Sequence, residues 1–307
     1  MKRIQVHCAV IFLLSGAAIA QRSPTITGIS HVTLYADDLG KSRGFYGGLL
    51  GWEAIPETAS EAGVRFYANH AQYVELLPPP RAGDDHRYNL IAFSTDDADG
   101  LRKLLGSKGV TVPAIVTVEE DGSSSFIVHD PEGNAVAFTQ QGRKVPSPQK
   151  AALARRLSTH IMHSGYNVRD RVAMDRFYRD ALGFHLYWQG GAKPAEVDWV
   201  MMQVPDGTDW VEYMLNLPAR PSRAQLGSAD HIAPGVASVA ELQRILEQRG
   251  WKAPVGKNPQ VLGVDGKMQL DLNDPDGTRV EFMEFAPVKT PCCSAYTGTQ
   301  PSASDAW

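Results

Sequence analysis

The chain has 307 residues, a length that predicts about two domains. Hydrophobic residues make up 43% and charged residues 21%, so the composition is that of a globular protein and excludes a disordered, collagen-like or coiled-coil chain. The formal net charge of −4 provides no basic surface of the kind that binds nucleic acid, and we expect no nucleic-acid partner.

The N-terminal segment Met1–Ala20 has the organisation of a secretory signal peptide. Lys2 and Arg3 give it a positive start, an apolar stretch follows over residues 9–14, and Ala18-Ile19-Ala20 is a small-x-small cleavage site. The apolar stretch is too short to span a bilayer as a permanent helix. We therefore expect cleavage after residue 20, a periplasmic or secreted product and no membrane span after cleavage. An N-terminal membrane anchor is the alternative.

Two long segments of the chain repeat each other. From Ile29 the sequence reads ISHVTLYADDLGKSRGFYGGLLGW, and from Ile161 it reads IMHSGYNVRDRVAMDRFYRDALGF. Further pairs are LIAFSTDDADGLRKLLGSKGV with HIAPGVASVAELQRILEQRGW, and DPEG with DPDG. The repetition predicts two similar domains, over residues 25–142 and 157–287, joined by a linker over residues 143–156.

Each half divides again into two units of the form βαβββ. A unit begins with a strand, and a helix with apolar residues at helical spacing follows, as at Leu101, Leu104 and Leu105. A glycine is expected to end each helix, as at Gly109 and Gly250. In the second unit of each half, an Asp-Pro-x-Gly turn leads into the last strand. The pattern predicts an α+β fold built from four such modules.

The last residues, 288–307, are rich in Ser, Thr and Pro and predict a flexible tail. They contain Cys292 and Cys293, which are adjacent in the chain. In an oxidising compartment this pair could form a vicinal disulfide or link to other chains.

The motifs of the repeats resemble the vicinal oxygen chelate superfamily. The similarity lies in the pattern His-x(13)-Phe-Tyr-x(3)-Leu-Gly, followed by His-Ile-Ala and Asp-Pro-x-Gly-x-x-Val-Glu, and it covers nearly all of Thr25–Pro287. This group includes glyoxalase I, extradiol dioxygenases, fosfomycin and bleomycin resistance proteins, and methylmalonyl-CoA epimerase. The resemblance implies that the modules pair into two domains, each a curved mixed sheet that forms a cup around one divalent metal ion.

The second half has metal-ligand side chains at all four positions that the resemblance assigns to the metal. These are His163, Glu212, His231 and Glu281. Two imidazoles and two carboxylates form a nitrogen and oxygen site suited to one Zn, Ni, Co, Fe or Mn ion. On the residues alone, Glu281 between Val280 and Phe282 also fits a strand whose polar face meets solvent.

The first half keeps only two of these side chains, His31 and Glu75, and has Leu90 and Ala137 in place of the others. Its cup is therefore expected to be a degenerate metal site. Some members of the superfamily pair their modules across domains. In that arrangement His31 and Glu75 would replace the first two ligands of the second half. We expect pairing within the second half and keep the other pairing as an alternative.

The resemblance implies a metal-dependent enzyme for a small substrate with adjacent oxygen atoms. In glyoxalase I-like and epimerase-like members, a metal-bound glutamate leaves the metal and moves a proton at the neighbouring carbon. Glu212 and Glu281 are therefore the candidate catalytic bases. We expect a lyase or isomerase of the glyoxalase type, or an epimerase, that acts as a monomer or homodimer.

Two other functions fit the same resemblance. An extradiol ring-cleavage dioxygenase would need an additional Tyr and additional His residues, but Asp271, Asn216 and Leu262 stand near those positions. A metal-independent binding or resistance protein would sequester a small molecule in the cup. Such a protein would not need a complete set of metal ligands.

Overall fold

The protein is described here by a computed structural model that covers residues 22–56, 63–81, 85–142, 154–256 and 258–305. The predicted signal peptide of residues 1–20 and most of the predicted linker of residues 143–156 lie outside these ranges. Within them, every helix is too short or too polar to cross a membrane.

The predicted module order is confirmed in the first half of the chain. The first module consists of β1 Gly28–Tyr35, α1 Leu39–Ser42, β2 Glu53–Pro56, β3 Val64–Tyr67 and β4 Tyr73–Leu77. The second module consists of β5 Tyr88–Ser94, α2 Ala98–Ser107, β6 Thr117–Val118, β7 Ser124–His129 and β8 Ala135–Gln140. Helix α1 continues directly into a π-helical turn over Arg43–Leu49.

The second half repeats this order with one additional helix before its last module. The third module consists of β9 Ile161–Asn167, α3 Arg171–Asp175, β10 His185–Gly190, β11 Trp199–Gln203 and β12 Trp210–Met214. The additional helix is α4 Arg223–Ala229. The fourth module follows it and consists of β13 His231–Val236, α5 Val239–Gln248, β14 Gln260–Leu262, β15 Met268–Asn273 and β16 Arg279–Glu284. A π-helical turn over Arg176–Ala181 follows α3.

The modules pair within each half of the chain and form two eight-stranded mixed sheets. The strand orders are β2-β3-β4-β1-β5-β8-β7-β6 and β10-β11-β12-β9-β13-β16-β15-β14. In each sheet the first strands of the two modules are antiparallel neighbours at the centre, while each first strand is parallel to the last strand of its own module. The cross-domain pairing that the sequence left open is therefore excluded.

The local chemistry of the sequence explains where the longer helices begin and end. The side chain of Asp97 accepts a hydrogen bond from the Gly100 amide at the start of α2, and Ser238 caps α5 in the same way. Gly109 and Gly250, just beyond these helices, have φ values of 87° and 90°. That left-handed conformation is accessible to glycine at little cost, so both helices stop at the predicted residues.

One continuous hydrophobic core runs through both domains. Phe93 meets Phe184 edge to face, with 5.2 Å between ring centroids. The Gln72 amide nitrogen donates to the carbonyls of Ile29 and Ile161, one from each domain, at 3.0 and 3.1 Å. The two sheets are thus held together by packing and by buried hydrogen bonds.

The C-terminal segment is not the flexible tail that its composition predicts. Residues 288–305 pack along the second domain, and Thr297 N donates to the Tyr187 carbonyl at 3.0 Å. The Gln300 side chain accepts hydrogen bonds from Tyr187 Oη at 2.6 Å and from the buried Lys267 Nζ at 2.8 Å. Specific polar contacts of this kind order a segment that has no hydrophobic periodicity of its own.

A buried ion pair lies where the first domain, the second domain and the C-terminal segment meet. His160 Nε2 is 2.7 Å from Asp209 Oδ1, and both side chains are buried. Asp209 Oδ2 accepts from the Ile29 amide of the first domain at 2.7 Å, and His160 Nδ1 lies 2.9 Å from the Ser302 carbonyl. Although burial acts to lower the pKa of His160, Asp209 outweighs it and raises that pKa above its usual value of 6.5.

Asp209→Asn is expected to cost about 3 kcal/mol of unfolding free energy at pH 6.5, because it removes the carboxylate that forms an ion pair with a buried histidine. A raised histidine pKa contributes stability that is complete below the unfolded value of 6.5 and is lost as pH rises through the folded value. The cost should therefore shrink between pH 6.5 and 9 in urea unfolding experiments. Asp305→Asn, whose carboxylate lies 4.0 Å from His160, is the matched control with a smaller effect. An equal cost at both pH values would contradict the ion pair.

Candidate metal centre

The four candidate ligands lie on four adjacent strands at the centre of the second sheet, β12, β9, β13 and β16. His163 on β9 is opposite Ala233, and His231 on β13 is opposite Gly165, so the antiparallel register places the two imidazoles diagonally across the pair. Gly165 is required here, because a Cβ at this position would lie 2.1 Å from His231 Cε1. Glu212 also pairs with Gly165, from the other side.

The four side chains form a compact and buried cluster. The two imidazole Nε2 atoms are 3.0 Å apart. Glu281 Oε2 lies 3.2 Å from His163 Nε2 and 3.3 Å from His231 Nε2. Glu212 Oε2 is 3.2 Å from His231 Nε2 and 3.7 Å from His163 Nε2. None of the four residues is more than 6% exposed.

The donor set fits a divalent metal ion. Ligand atoms bound at about 2.1 Å around one ion are roughly 3 to 3.5 Å from one another. Four of the five separations given above lie in this range, and the distance from Glu212 Oε2 to His163 Nε2 is slightly longer at 3.7 Å. Glu281 Oε2 is buried and has no hydrogen bond of normal geometry, so it has an unused lone pair within the cluster. The four residues together could therefore hold one metal ion.

Neighbouring groups orient the two imidazoles. His231 Nδ1 lies 2.7 Å from the Ala229 carbonyl, and donation to that carbonyl leaves Nε2 as the lone-pair donor toward the cluster. The His163 ring stacks on Trp210, with 4.6 Å between centroids and 22° between planes. Packing therefore fixes one ring and a hydrogen bond fixes the other.

A partly buried cation, Arg279, lies next to the cluster. Arg279 Nη1 lies 3.3 Å from Glu281 Oε1 and 3.8 Å from Asp271 Oδ2. Burial acts to raise the pKa of Glu281, but Arg279 and the two imidazoles outweigh it and hold that pKa well below its usual value. Burial and Arg279 act to lower the pKa of His231, yet its two carboxylate neighbours raise it to about 9. Without a metal ion, His231 therefore holds a proton at neutral pH, and the positive charge lies beside the two carboxylates.

A cavity of about 250 Å³ opens onto the two carboxylates. Its apolar lining includes Trp188, Trp199, Met201, Val261, Leu262 and Val264. Its polar lining comprises Glu212 and Glu281 of the cluster together with Asp265, Gln269 and Arg279. A small molecule that entered this space would meet the candidate metal site at one end and an apolar wall along its length.

The first domain has a cavity of about 150 Å³ that is lined by His31 and Arg65 and differs in its chemistry. Arg65 Nε lies 2.9 Å from Glu75 Oε1, so a guanidinium neutralises the carboxylate that the cup retains. Arg65 pairs with Glu75 across two strands just as Met201 pairs with Glu212, which makes it the counterpart of Met201. Burial lowers the pKa of His31 to about 4.

The remaining half of this cup is apolar. Leu90, Ala92 and Ala137 form a small buried cluster where the other two ligand positions fall. His31 and Glu75 are therefore not joined by further metal-ligand side chains among the described residues.

Arg279 was missed in the sequence as a residue of the site. Trp210 and Arg279 each lie two positions before a candidate ligand on the same strand, Glu212 and Glu281 respectively. Side chains two positions apart in a strand share a face, so strand alternation places both side chains on the same face as the ligands.

Comparison with known proteins identifies the family of this chain. Residues 28–138 and 159–282 match the family model described as the Glyoxalase/Bleomycin resistance protein/Dioxygenase superfamily. The chain belongs to this superfamily. No curated protein matches the sequence.

Solved structures of a glyoxalase and of two 2,3-dioxygenases share the fold at low sequence identity. A Mn(II)-bound glyoxalase from Novosphingobium aromaticivorans is 19% identical, with a TM-score of 0.62 over 85% of this chain and 83% of that one. The 2,3-dioxygenase LapB from Pseudomonas sp. KL28 is 15% identical, with a TM-score of 0.65 over 86% of this chain and 93% of that one. The E323L mutant of homoprotocatechuate 2,3-dioxygenase from Brevibacterium fuscum is 18% identical, with a TM-score of 0.65 over 86% of this chain and 73% of that one.

His231→Ala and Glu281→Gln are each expected to lower metal affinity at least about tenfold, because each removes one of four donors. The measurement is metal content after dialysis against Mn²⁺, with calorimetric titration of the metal-free protein. His31→Ala in the first cup is the matched control and should leave metal content unchanged. Equal metal content in all three variants would place the metal elsewhere.

Proposed function

We propose that the protein is a metal-dependent enzyme of the glyoxalase type, a lyase, isomerase or epimerase for a small substrate with adjacent oxygen atoms. The proposal depends mainly on the position of Glu212. Its Oε2 atom is a fourth donor, 3.2 Å from His231 Nε2, and its side chain also lines the cavity. Two imidazoles and two carboxylates complete the donor set, and both carboxylates reach the space where a substrate would lie.

The side chains of the cluster would hold one divalent ion, and the first cup would hold none. A bound divalent ion supplies Lewis-acid polarisation of a substrate carbonyl, which makes the hydrogen on the adjacent carbon more acidic. The apolar walls formed by Trp188, Trp199 and Met201 exclude water from the reacting end of the substrate. Arg279 adds a positive charge at the same end.

Glu212 is the better candidate for the base that moves the proton. Arg279 lies 3.3 Å from Glu281 and stabilises its carboxylate, which weakens Glu281 as a base. Glu212 has no arginine or lysine partner among the described ion pairs, and only the two imidazoles approach it. We therefore assign proton transfer to Glu212 and a holding role to Glu281.

The size of the cavity limits the substrate. A space of about 250 Å³ holds a small metabolite but not a bulky peptide conjugate such as a glutathione adduct. Its apolar lining favours a substrate with a hydrocarbon or aromatic portion beyond the two oxygens.

An extradiol-type dioxygenase is the second candidate, because the similar solved structures include 2,3-dioxygenases. The residues that stand near the positions of its additional Tyr and His residues argue against this function. Leu262 lines the cavity, Asn216 is exposed, and Asp271 is engaged with Arg279. A metal-independent binding protein is disfavoured by the complete and buried donor set.

Glu212→Gln is expected to slow proton exchange at least about 100-fold, because it removes the general base while its amide oxygen can still face the metal. The assay follows deuterium incorporation by NMR in the metal-loaded protein with a panel of dicarbonyls and hydroxyketones. Glu75→Gln, the same change in the first cup, is the control and should retain full activity. Oxygen consumption with catechols and no exchange in the panel would support the dioxygenase instead.

We also propose that the protein is exported, on the pattern of Met1–Ala20. Fused to a phosphatase that is active only outside the cytoplasm, residues 1–30 should give activity and a product shortened by about 20 residues. Replacing Lys2 and Arg3 with Glu should reduce export. A fusion of unchanged length that stays with the membrane would indicate an anchor.

A further inference from the structure

The C-terminal segment lies against the outside of the cavity that the proposed function uses. Val288 N donates to the Gly266 carbonyl at 2.8 Å, and Tyr296 Oη lies 3.0 Å from Asp265 Oδ2. Ser294 Oγ donates to the Gln189 carbonyl at 2.9 Å. The segment thus contacts both the turn before β15 and strand β10, two parts of the chain that contribute to the cavity wall.

The backbone of Cys292 joins these two parts directly. Its amide donates to the Val264 carbonyl at 2.7 Å, and its carbonyl accepts from Trp188 Nε1 at 3.2 Å. Trp188 and Val264 both line the cavity. A shift of this one backbone segment would therefore release two separate parts of the wall.

Cys292 is bonded to its neighbour Cys293 through a disulfide. Cys293 has a φ of 76°, and within the described ranges it is the only residue other than glycine with a positive φ. A residue with a Cβ avoids this left-handed region when it is free to do so. The covalent ring across the pair limits that freedom and holds the Cys292 backbone where it meets Trp188 and Val264.

We propose that Cys292–Cys293 is a thiol–disulfide exchange site for a small dithiol, and that its redox state sets the position of the cavity wall. Cys293 is exposed and Cys292 is half-buried. Cys293 lines a surface groove of about 340 Å³ together with Thr290, Pro291, Ser294, Ala295 and Tyr296. A small thiol can therefore reach the sulfur of Cys293 from solvent.

The exchange has two steps. A thiolate of the dithiol attacks Cys293 Sγ, the bond between the two protein sulfurs breaks, and Cys292 leaves as a thiolate that takes up a proton. The second thiol group of the reagent then attacks the mixed disulfide, which frees Cys293 and closes a disulfide within the reagent. The protein pair gains two electrons and two protons, and the dithiol loses the same number.

Reduction removes the ring, and Cys293 relaxes toward negative φ. The Cys292 backbone then moves away from its two partners, and the wall formed by Trp188 and Val264 loosens. The effect on the metal rests on the proposed function, whereas the exchange and the movement of Trp188 do not.

The test uses the full chain with Cys8→Ser, so that only the pair can react. Dithiothreitol under native conditions followed by iodoacetamide should add two alkyl groups per chain by mass spectrometry. Reduction should also change the tryptophan emission, and bound Mn²⁺ should pass to a chelator about tenfold faster because two hydrogen bonds of the wall are lost. A pair that is alkylated only after denaturation, or alkylation with no change in emission, would overturn the proposal.

Two variants sharpen the result. Cys292→Ser with Cys293→Ser should behave as the reduced chain whether or not reductant is present, and release of Mn²⁺ at the oxidised rate would contradict the coupling. Trp188→Phe should still be alkylated, but its emission should no longer respond to reduction. If the chain binds no metal at all, the proposed function fails, and alkylation and emission still decide the exchange site.

Discussion

The burial of two carboxylates beside two imidazoles is the constraint on which the second domain depends. Carboxylates are costly to remove from water unless a positive charge compensates them. Here Glu212 and Glu281 are almost fully covered, and only Arg279 supplies a nearby permanent charge among the described residues. The remaining charge must come from a proton on His231 or from a metal ion. Proton and metal thus compete for one place, and the fold keeps that place available.

The duplication in the sequence was enough to predict the four modules, and the resemblance to the superfamily predicted the two sheets and the four clustered side chains. It could not decide how the modules pair, because His231 and Glu281 belong to a complete set in either arrangement. That choice depends on the antiparallel contact of β9 with β13, which involves residues distant in the chain. Gly165, which the His231 ring requires, has no counterpart in the first half, where Thr33 stands.

Other features lie beyond what residue patterns can give. The C-terminal segment has the composition of a loop, and it is ordered by side chains such as Lys267 and Tyr187 that belong to other elements. Arg279 and Trp210 were accessible through strand alternation, but their roles depend on which neighbours face them. Local patterns report which face a residue takes, and tertiary packing decides what that face contacts.

The first domain is joined to the ligand strands by a short chain of hydrogen bonds. Tyr88 Oη lies 2.8 Å from Ser164 Oγ, which donates to the His231 carbonyl at 2.6 Å. Ser164 is the chain neighbour of His163, so a residue of the degenerate copy supports both imidazole strands. The first domain, which has only two of the four metal-ligand side chains, therefore still contributes to the site. It acts as a scaffold, and shortening the polypeptide to its second half would withdraw this support from the strands that carry the site.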